Sequence, residues 1–386
     1  MWAGAFVSSL GTWTQDVALS WLIHERFHNP NYLSLRQFAA EAPLIAFMAV
    51  GGAMADRIDR RRILLTSQFV QMSMAAALGF LYATDRLGVA AIVAIAFFTG
   101  LAQSQSAPTY QAVLTSIVPP THIPNAVALN SLQFNLSRFL GPALAGFLLA
   151  TVGTGPCFLV NALSFLAVIV AIWRISVPPP AAGSTSKSLA ESLKDGFRHL
   201  AGDPVLGRLT LLALCGSFLC FPLITFMPVI ADLRLGMGAS GYSLLLSSFG
   251  LGAIVGAITT AHRGKVEGRG RLLLLAFMGY GLLATAALLS RTPLLTAALL
   301  FAAGVCMVTA FSILNSLVQE TAPSALRGRV LSLFGLAFRG GGPLGGLVAG
   351  LLILGLGAPA VLAAYSLLLT ALAGTFLARS ARLRTL

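Results

Sequence analysis

Gly52-Ala53-Met54-Ala55-Asp56-Arg57-Ile58-Asp59-Arg60-Arg61 joins two long apolar runs, Leu33 to Ala55 and Ile63 to Ala83. Two greasy segments meeting at a tight arginine-rich turn predict a hairpin that crosses a bilayer twice. The arginines cannot enter lipid cheaply, so they hold this turn on the cytoplasmic side. Gly51, Gly52, Ala53 and Ala55 are small enough for a neighbouring helix to come close. Asp56 stands at the junction, where it can pair with an arginine or face a helix N-terminus. A loop that only sets topology explains the arginines, but not the Gly-x-x-x-Asp-Arg-x-x-Arg-Arg spacing.

The rest of the chain reads as more of the same. Of 386 residues 57% are apolar and 10% charged. A soluble protein carries about 25% charged residues. Twelve apolar runs are long enough to span a bilayer at roughly 20 residues each. They cover approximately 2–23, 33–55, 63–83, 89–112, 124–150, 156–173, 206–231, 239–261, 271–290, 294–318, 327–353 and 358–378. The net charge of +13 does not indicate nucleic-acid binding. Alternating the runs across the membrane places eighteen basic residues on the side of Arg57, Lys187 and Arg384, and five on the other. That asymmetry predicts cytoplasmic termini.

Residues 175–205 interrupt the hydropathy. Pro178-Pro179-Pro180 and the Ala181–Ser188 stretch predict an extended linker, followed by a short amphipathic helix over Leu189–Leu200. The expected division is a six-helix bundle over 1–174, the linker over 175–205, a second bundle over 206–378 and a tail over 379–386. The halves look like repeats. Gly100 to Pro119 matches Gly304 to Pro323, and Arg138-Phe-Leu-Gly-Pro142 matches Arg339-Gly-Gly-Gly-Pro343. The second copy of the opening loop, around His262 to Arg271, keeps its basic charge and loses the Asp-Arg core.

The spacing from Gly52 to Arg61 resembles the loop between helices 2 and 3 of the major facilitator superfamily. Asp59 stands where that pattern usually has glycine. The Asp-Arg-x-Asp-Arg-Arg-Arg form resembles the drug and siderophore exporter branch, which includes enterobactin-exporter-like and macrolide-efflux-like proteins. The resemblance implies an all-α membrane protein with 12 transmembrane helices in two pseudo-symmetric six-helix bundles. It places the substrate site between the halves, near the midplane. It makes Gly52, Asp56, Arg57, Arg60 and Arg61 a cytoplasmic gate. Gly141, Pro142 and Gly146 resemble the Gly-Pro motif of helix 5 in exporters, although Ser137 and Ala145 stand where that pattern has glycines. The first run begins almost at Met1, where the family usually carries a short cytoplasmic lead, so such a lead is expected to be missing here.

Four full charges fall well inside the runs: Asp16, Glu41, Arg138 and Arg339. Such charges are costly, about 2.5–3.5 kcal/mol each on insertion scales, and are read first as functional. Asp16 is expected to share a helix face with Ser9, Thr12 and Ser20. Glu41 follows Gln37 by one turn. A carboxylate balanced between desolvation and a nearby arginine can exchange a proton near neutral pH, which makes Asp16 and Glu41 the candidates for proton coupling. The alternative is a structural ion pair, such as Glu41 with Arg36. Arg138, Arg339, Gln103, Tyr110 and Asn135 are candidates for the substrate cavity, with helix–helix hydrogen bonding as the other reading of the polar ones.

Cys157, Cys215, Cys220 and Cys306 lie in apolar runs without metal-ligand spacing, the histidines lie at run ends or in loops, and there is no phosphate-binding loop. The expectation is therefore no enzyme, cofactor or metal. The chain reads as a monomeric, multi-pass protein of a bacterial cytoplasmic (inner) membrane. It would move a small amphipathic molecule (a drug, macrolide or siderophore) outward against protons, with lipid around it. An importer or uniporter of the same fold, or a membrane receptor or scaffold without transport, remain as alternatives.

Overall fold

The computed structural model describes residues 1–55, 59–175, 197–198, 200, 202–263, 268–323 and 326–384, without side chains at 48–55 and 263. The described residues are helical and contain no strand. Residues 1–186 and 187–386 form two compact units. The first holds α1 (Trp2–Phe27), α2 (Pro30–Ala55), α3 (Arg60–Ala83), α4 (Val89–Ser116), α5 (Ile123–Thr151) and α6 (Thr154–Trp173). The second holds α7 (Pro204–Thr225), α8 (Met227–Leu233), α9 (Gly238–Arg263), α10 (Arg269–Leu289), α11 (Pro293–Thr321), α12 (Arg327–Leu356), α13 (Ala358–Arg379) and α14 (Ala381–Arg384). The amphipathic stretch from Leu189 lies largely outside the described residues.

Among the described residues, nine helices are long and apolar enough to cross a membrane. The long helices outside that set are α1, α2 and α5. These three carry Asp16, Arg36, Glu41 and Arg138.

Local chemistry sets the helix ends. After α1, His28 takes a left-handed conformation (φ 50°) and Asn29 Oδ1 accepts from Asn31 N at 3.0 Å, while Pro30 opens α2. Asp59 is the N-cap of α3 and accepts from Arg61 N at 2.9 Å. That supplies a reason for aspartate where the family pattern has glycine. Asp203 caps α7 in the same way, accepting from Val205 N at 2.8 Å. The apolar run expected to form one helix over 206–231 is instead broken at Phe226 into α7 and α8. Pro222 and Pro228 each lack the N–H that would continue the helix ladder.

Within each unit the helices pair in one pattern. In the first, α1 packs on α5 and α6, α2 on α4, and α3 on α4 and α6; in the second, α7 packs on α12 and α13, α9 on α11, and α10 on α11 and α13. Glycines set the closest approaches. A Cβ on Gly100 of α4 would run into the Ala40 carbonyl of α2, and a Cβ on Gly304 of α11 into the Phe249 carbonyl of α9. The glycines that mark the sequence repeat thus do one job in both units: they let two backbones touch.

Candidate functional site

Asp16 and Arg36 form the centre of the site in the first unit. Arg36 Nη1 donates to Asp16 Oδ1 across the α1–α2 contact, and Arg36 Nη2 donates to Gln37 Oε1 at 3.4 Å. The arginine side chain is only 10% exposed, while the aspartate side chain is 43% exposed. The guanidinium is therefore inside and the acid has an open side. Glu41 is half-buried one turn beyond Gln37 on α2. By position in the sequence Arg36 belongs with the outer residues. Along α2 it sits six residues from the start, roughly 9 Å along the axis, because the helix begins at Pro30. The Asn29-Pro30 pair was the signal for that earlier start.

Arg138 does not meet the acid. Its guanidinium carbon lies 5.8 Å from the centroid of the Trp13 ring, a cation–π contact, and Trp13 also meets Phe134 edge-on at 6.2 Å. Trp13 is one helical turn before Asp16 on α1. Gly141 makes this arrangement possible, because a Cβ there would collide with Trp13 Cβ. Gly141, Pro142 and Gly146 are all buried. Pro142 has no N–H for the carbonyl of Arg138, four residues earlier, and Pro343 stands in the same relation to Arg339.

The polar residues of α1 face different neighbours rather than one cavity wall. Ser9 Oγ accepts from Gln133 Nε2 of α5 at 2.7 Å. Thr12 Oγ1 donates to Asn161 Oδ1 of α6 at 3.3 Å, and Asn161 Nδ2 donates to Gln15 Oε1 at 2.9 Å. The Gln15–Asn161 link was not foreseen; two amides opposite each other on apolar helices were its only sequence signal. Asn135 Nδ2 donates back to Ser131 O of its own helix at 2.8 Å. Gln103 is exposed on α4, while Tyr110 packs against a buried cluster that includes Leu64, Val113 and Phe165.

Of the arginine-rich loop, Asp56 and Arg57 lie outside the described residues, and Gly52 falls in the last turns of α2. Arg60 opens α3. Arg61 Nη2 donates to the Trp173 carbonyl at the end of α6 at 2.7 Å, which satisfies an end-of-helix acceptor.

In the second unit Arg339 is exposed on α12. Beside it in sequence, Phe338 joins an aromatic cluster the sequence did not reveal. Phe311 of α11 meets Phe338 at 5.0 Å, Phe277 of α10 at 5.3 Å and Phe221 of α7 at 5.9 Å between ring centroids. Four helices converge on these rings. Phe221, Phe311 and Phe338 are each only partly buried. Among the described residues no three of His, Cys, Asp and Glu gather into a metal site.

The family described as "transmembrane secretion effector" matches residues 1–386. The chain is a major facilitator transporter of that family. Members of the family are transporters, not enzymes. The multidrug efflux pump Tap of Mycolicibacterium fortuitum is 27% identical over 97% of this transporter and 94% of its own length. The enterobactin exporter EntS of Shigella flexneri is 25% identical over 71% of the chain and 65% of its own length. The staphyloferrin A transporter of Staphylococcus aureus is 28% identical, but the match spans 43% of its length. Among solved structures, a D-xylose-proton symporter superposes with a TM-score of 0.78 at 14% identity, covering 100% of this chain and 99% of that one. The nucleoside transporter NupG superposes at 0.76 and 14%, covering 98% and 97%. At these identities the likeness is one of fold.

Proposed function

We propose that this transporter exports a small amphipathic molecule across a bacterial cytoplasmic membrane, in exchange for protons, by alternating access. The Asp16–Arg36 pair carries the proposal. Its arginine is buried and its acid is partly open, so a proton arriving from water reaches the carboxylate first. Protonation removes one of the charges that hold the guanidinium, so that Arg36 can donate to a polar group of the substrate in place of Asp16. Asp16 is the primary coupling acid, and Glu41 on α2 is the second. Arg138, held over Trp13, offers the substrate a cation beside an aromatic face. Within the second unit, the partly buried phenylalanines around Phe311 and Phe338 form an apolar surface of their own.

The remaining assignments belong to the same reading. Residues 1–174 and 206–378 are the two six-helix bundles, 175–205 the linker and 379–386 the tail, with both termini cytoplasmic and the chain working as a monomer. Gly52, Asp56, Arg57, Arg60 and Arg61 gate the cytoplasmic end. The direction and the substrate class, a drug or siderophore, rest on the similarity to Tap and EntS. Everted vesicles test it. With an inward-acid gradient the expressed transporter should accumulate a compound drawn from a panel of drugs and siderophores, and an uncoupler should abolish the accumulation. Accumulation that ignores the uncoupler, or that occurs only in right-side-out vesicles, refutes proton-driven export.

A further inference from the structure

An open groove of about 660 Å³ lies in the second unit between α10, α13 and α14. Arg271 and Arg384 stand in it as charged groups, and Met278, Gly374, Leu377 and Ala378 supply an apolar floor. Both arginines are exposed, and among the described residues neither has a carboxylate within salt-bridge distance. Arg384 is placed there by design of the chain end. The short α14 buries Leu383 to 1% exposure, and Ser380 before it to 5%. The Arg384 carbonyl comes to 3.9 Å from where a Cβ on Gly268 would sit, just ahead of α10. Arg271 lies in the first turn of α10 and Met278 two turns further along, so the floor runs about 10 Å into the membrane-crossing part of the helix.

Two exposed arginines at the end of a membrane helix pair, above an apolar channel, match an amphiphile with an anionic head. We propose that this groove binds one anionic phospholipid. Its phosphate sits between Arg271 and Arg384, and the upper part of an acyl chain lies against Met278, Gly374 and Leu377. A water-soluble phosphate would use the arginines and leave the floor empty, whereas a zwitterionic lipid would use the floor and gain little from the arginines.

The test is native mass spectrometry of delipidated full-length protein in neutral detergent, titrated with phosphatidylglycerol. Phosphatidylcholine and inorganic phosphate are the comparison probes. One phosphatidylglycerol is expected to be retained in preference to phosphatidylcholine. Arg271→Gln with Arg384→Gln should weaken retention about twenty-fivefold, at about fivefold per arginine. Arg291→Gln, beyond the opposite end of α10, should leave it unchanged. Gly374→Phe keeps both charges and fills the floor, and should also lose the lipid. Equal retention of the two lipids, or parent-like phosphatidylglycerol binding by the double variant, overturns the proposal. So does displacement of the lipid by inorganic phosphate with Gly374→Phe unaffected, because the groove would then be a free-phosphate site.

Discussion

Replacing Asp16 by Asn and Arg36 by Met, singly and together, separates coupling from mere support of the fold. An exposed ion pair contributes about 0–1 kcal/mol, whereas removing one partner of a fully buried pair costs about 3–5 kcal/mol. The pair here lies between these limits, with the arginine side chain 10% and the aspartate 43% exposed. Asp16→Asn leaves the buried guanidinium its charge, with the Gln37 carbonyl oxygen at 3.4 Å as a neighbour. The expected loss is about 1–3 kcal/mol, screened from the full figure by the open side of the acid. In Asp16→Asn/Arg36→Met the buried positive charge is gone as well, and stability should return to within about 1 kcal/mol of the parent. Transport should not return with it. Thermal unfolding in detergent reads the first quantity. Proteoliposomes with an imposed pH gradient read the second, alongside substrate exchange between equal pools. Asp16→Asn should lose uphill transport and keep exchange. If the double variant recovers both stability and uphill transport, the pair only holds α1 to α2 and the proton travels elsewhere; Glu41→Gln is then the next variant to assay.

Gly100→Ala should destabilise the protein by about 1–3 kcal/mol in thermal unfolding, because its methyl group meets a backbone carbonyl that cannot turn aside; Gly304→Ala should behave alike, and a shift in only one of them would break the structural equivalence of the repeats. Arg138→Lys should impair substrate affinity more than membrane abundance, since an ammonium cannot lay a planar face on Trp13; unchanged affinity would remove Arg138 from the binding surface. Asp56→Asn should slow turnover at equal abundance, and parent-like turnover would leave the loop a topology signal. Lys187→Cys in a cysteine-free background should resist an impermeant thiol reagent in intact cells while Asp85→Cys reacts, and labelling of the former would invert the proposed orientation.

The long helices were legible because hydropathy over twenty residues is a strong, additive signal. What hydropathy does not see is hydrogen bonding. The run across Phe226 is apolar on both sides of the break, so it looked continuous although Pro222 and Pro228 were in view. Rotation about the helix axis was equally hidden. In a bundle a helix touches neighbours on several sides, so polar residues at helical spacing need not share a partner. Ser9, Thr12 and Asp16 turned out to face α5, α6 and α2 respectively. Arg138 stood out in the sequence as a charge inside an apolar run, but its neighbour Trp13 is brought in at Gly141, through a contact between sequence-distant helices. The aromatic cluster is assembled from four helices, and no window of sequence contains it.

The tight contact between α2 and α4 also bears on how the chain is made. Ala40 meets Gly100 only after sixty further residues have left the ribosome, about 3–12 s at ordinary synthesis rates. Until then α2 has its neighbour in time, α3, but not its tightest neighbour in space. The same delay recurs when α9 waits for α11. Asp16 and Arg36, by contrast, sit on consecutive helices joined by a short turn, so the first hairpin can enter the bilayer with these two charges already matched to each other. Insertion can therefore begin with a neutralised pair while the glycine contacts are still unmade, and the newborn protein passes through a stage in which its backbones are threaded but not yet clasped.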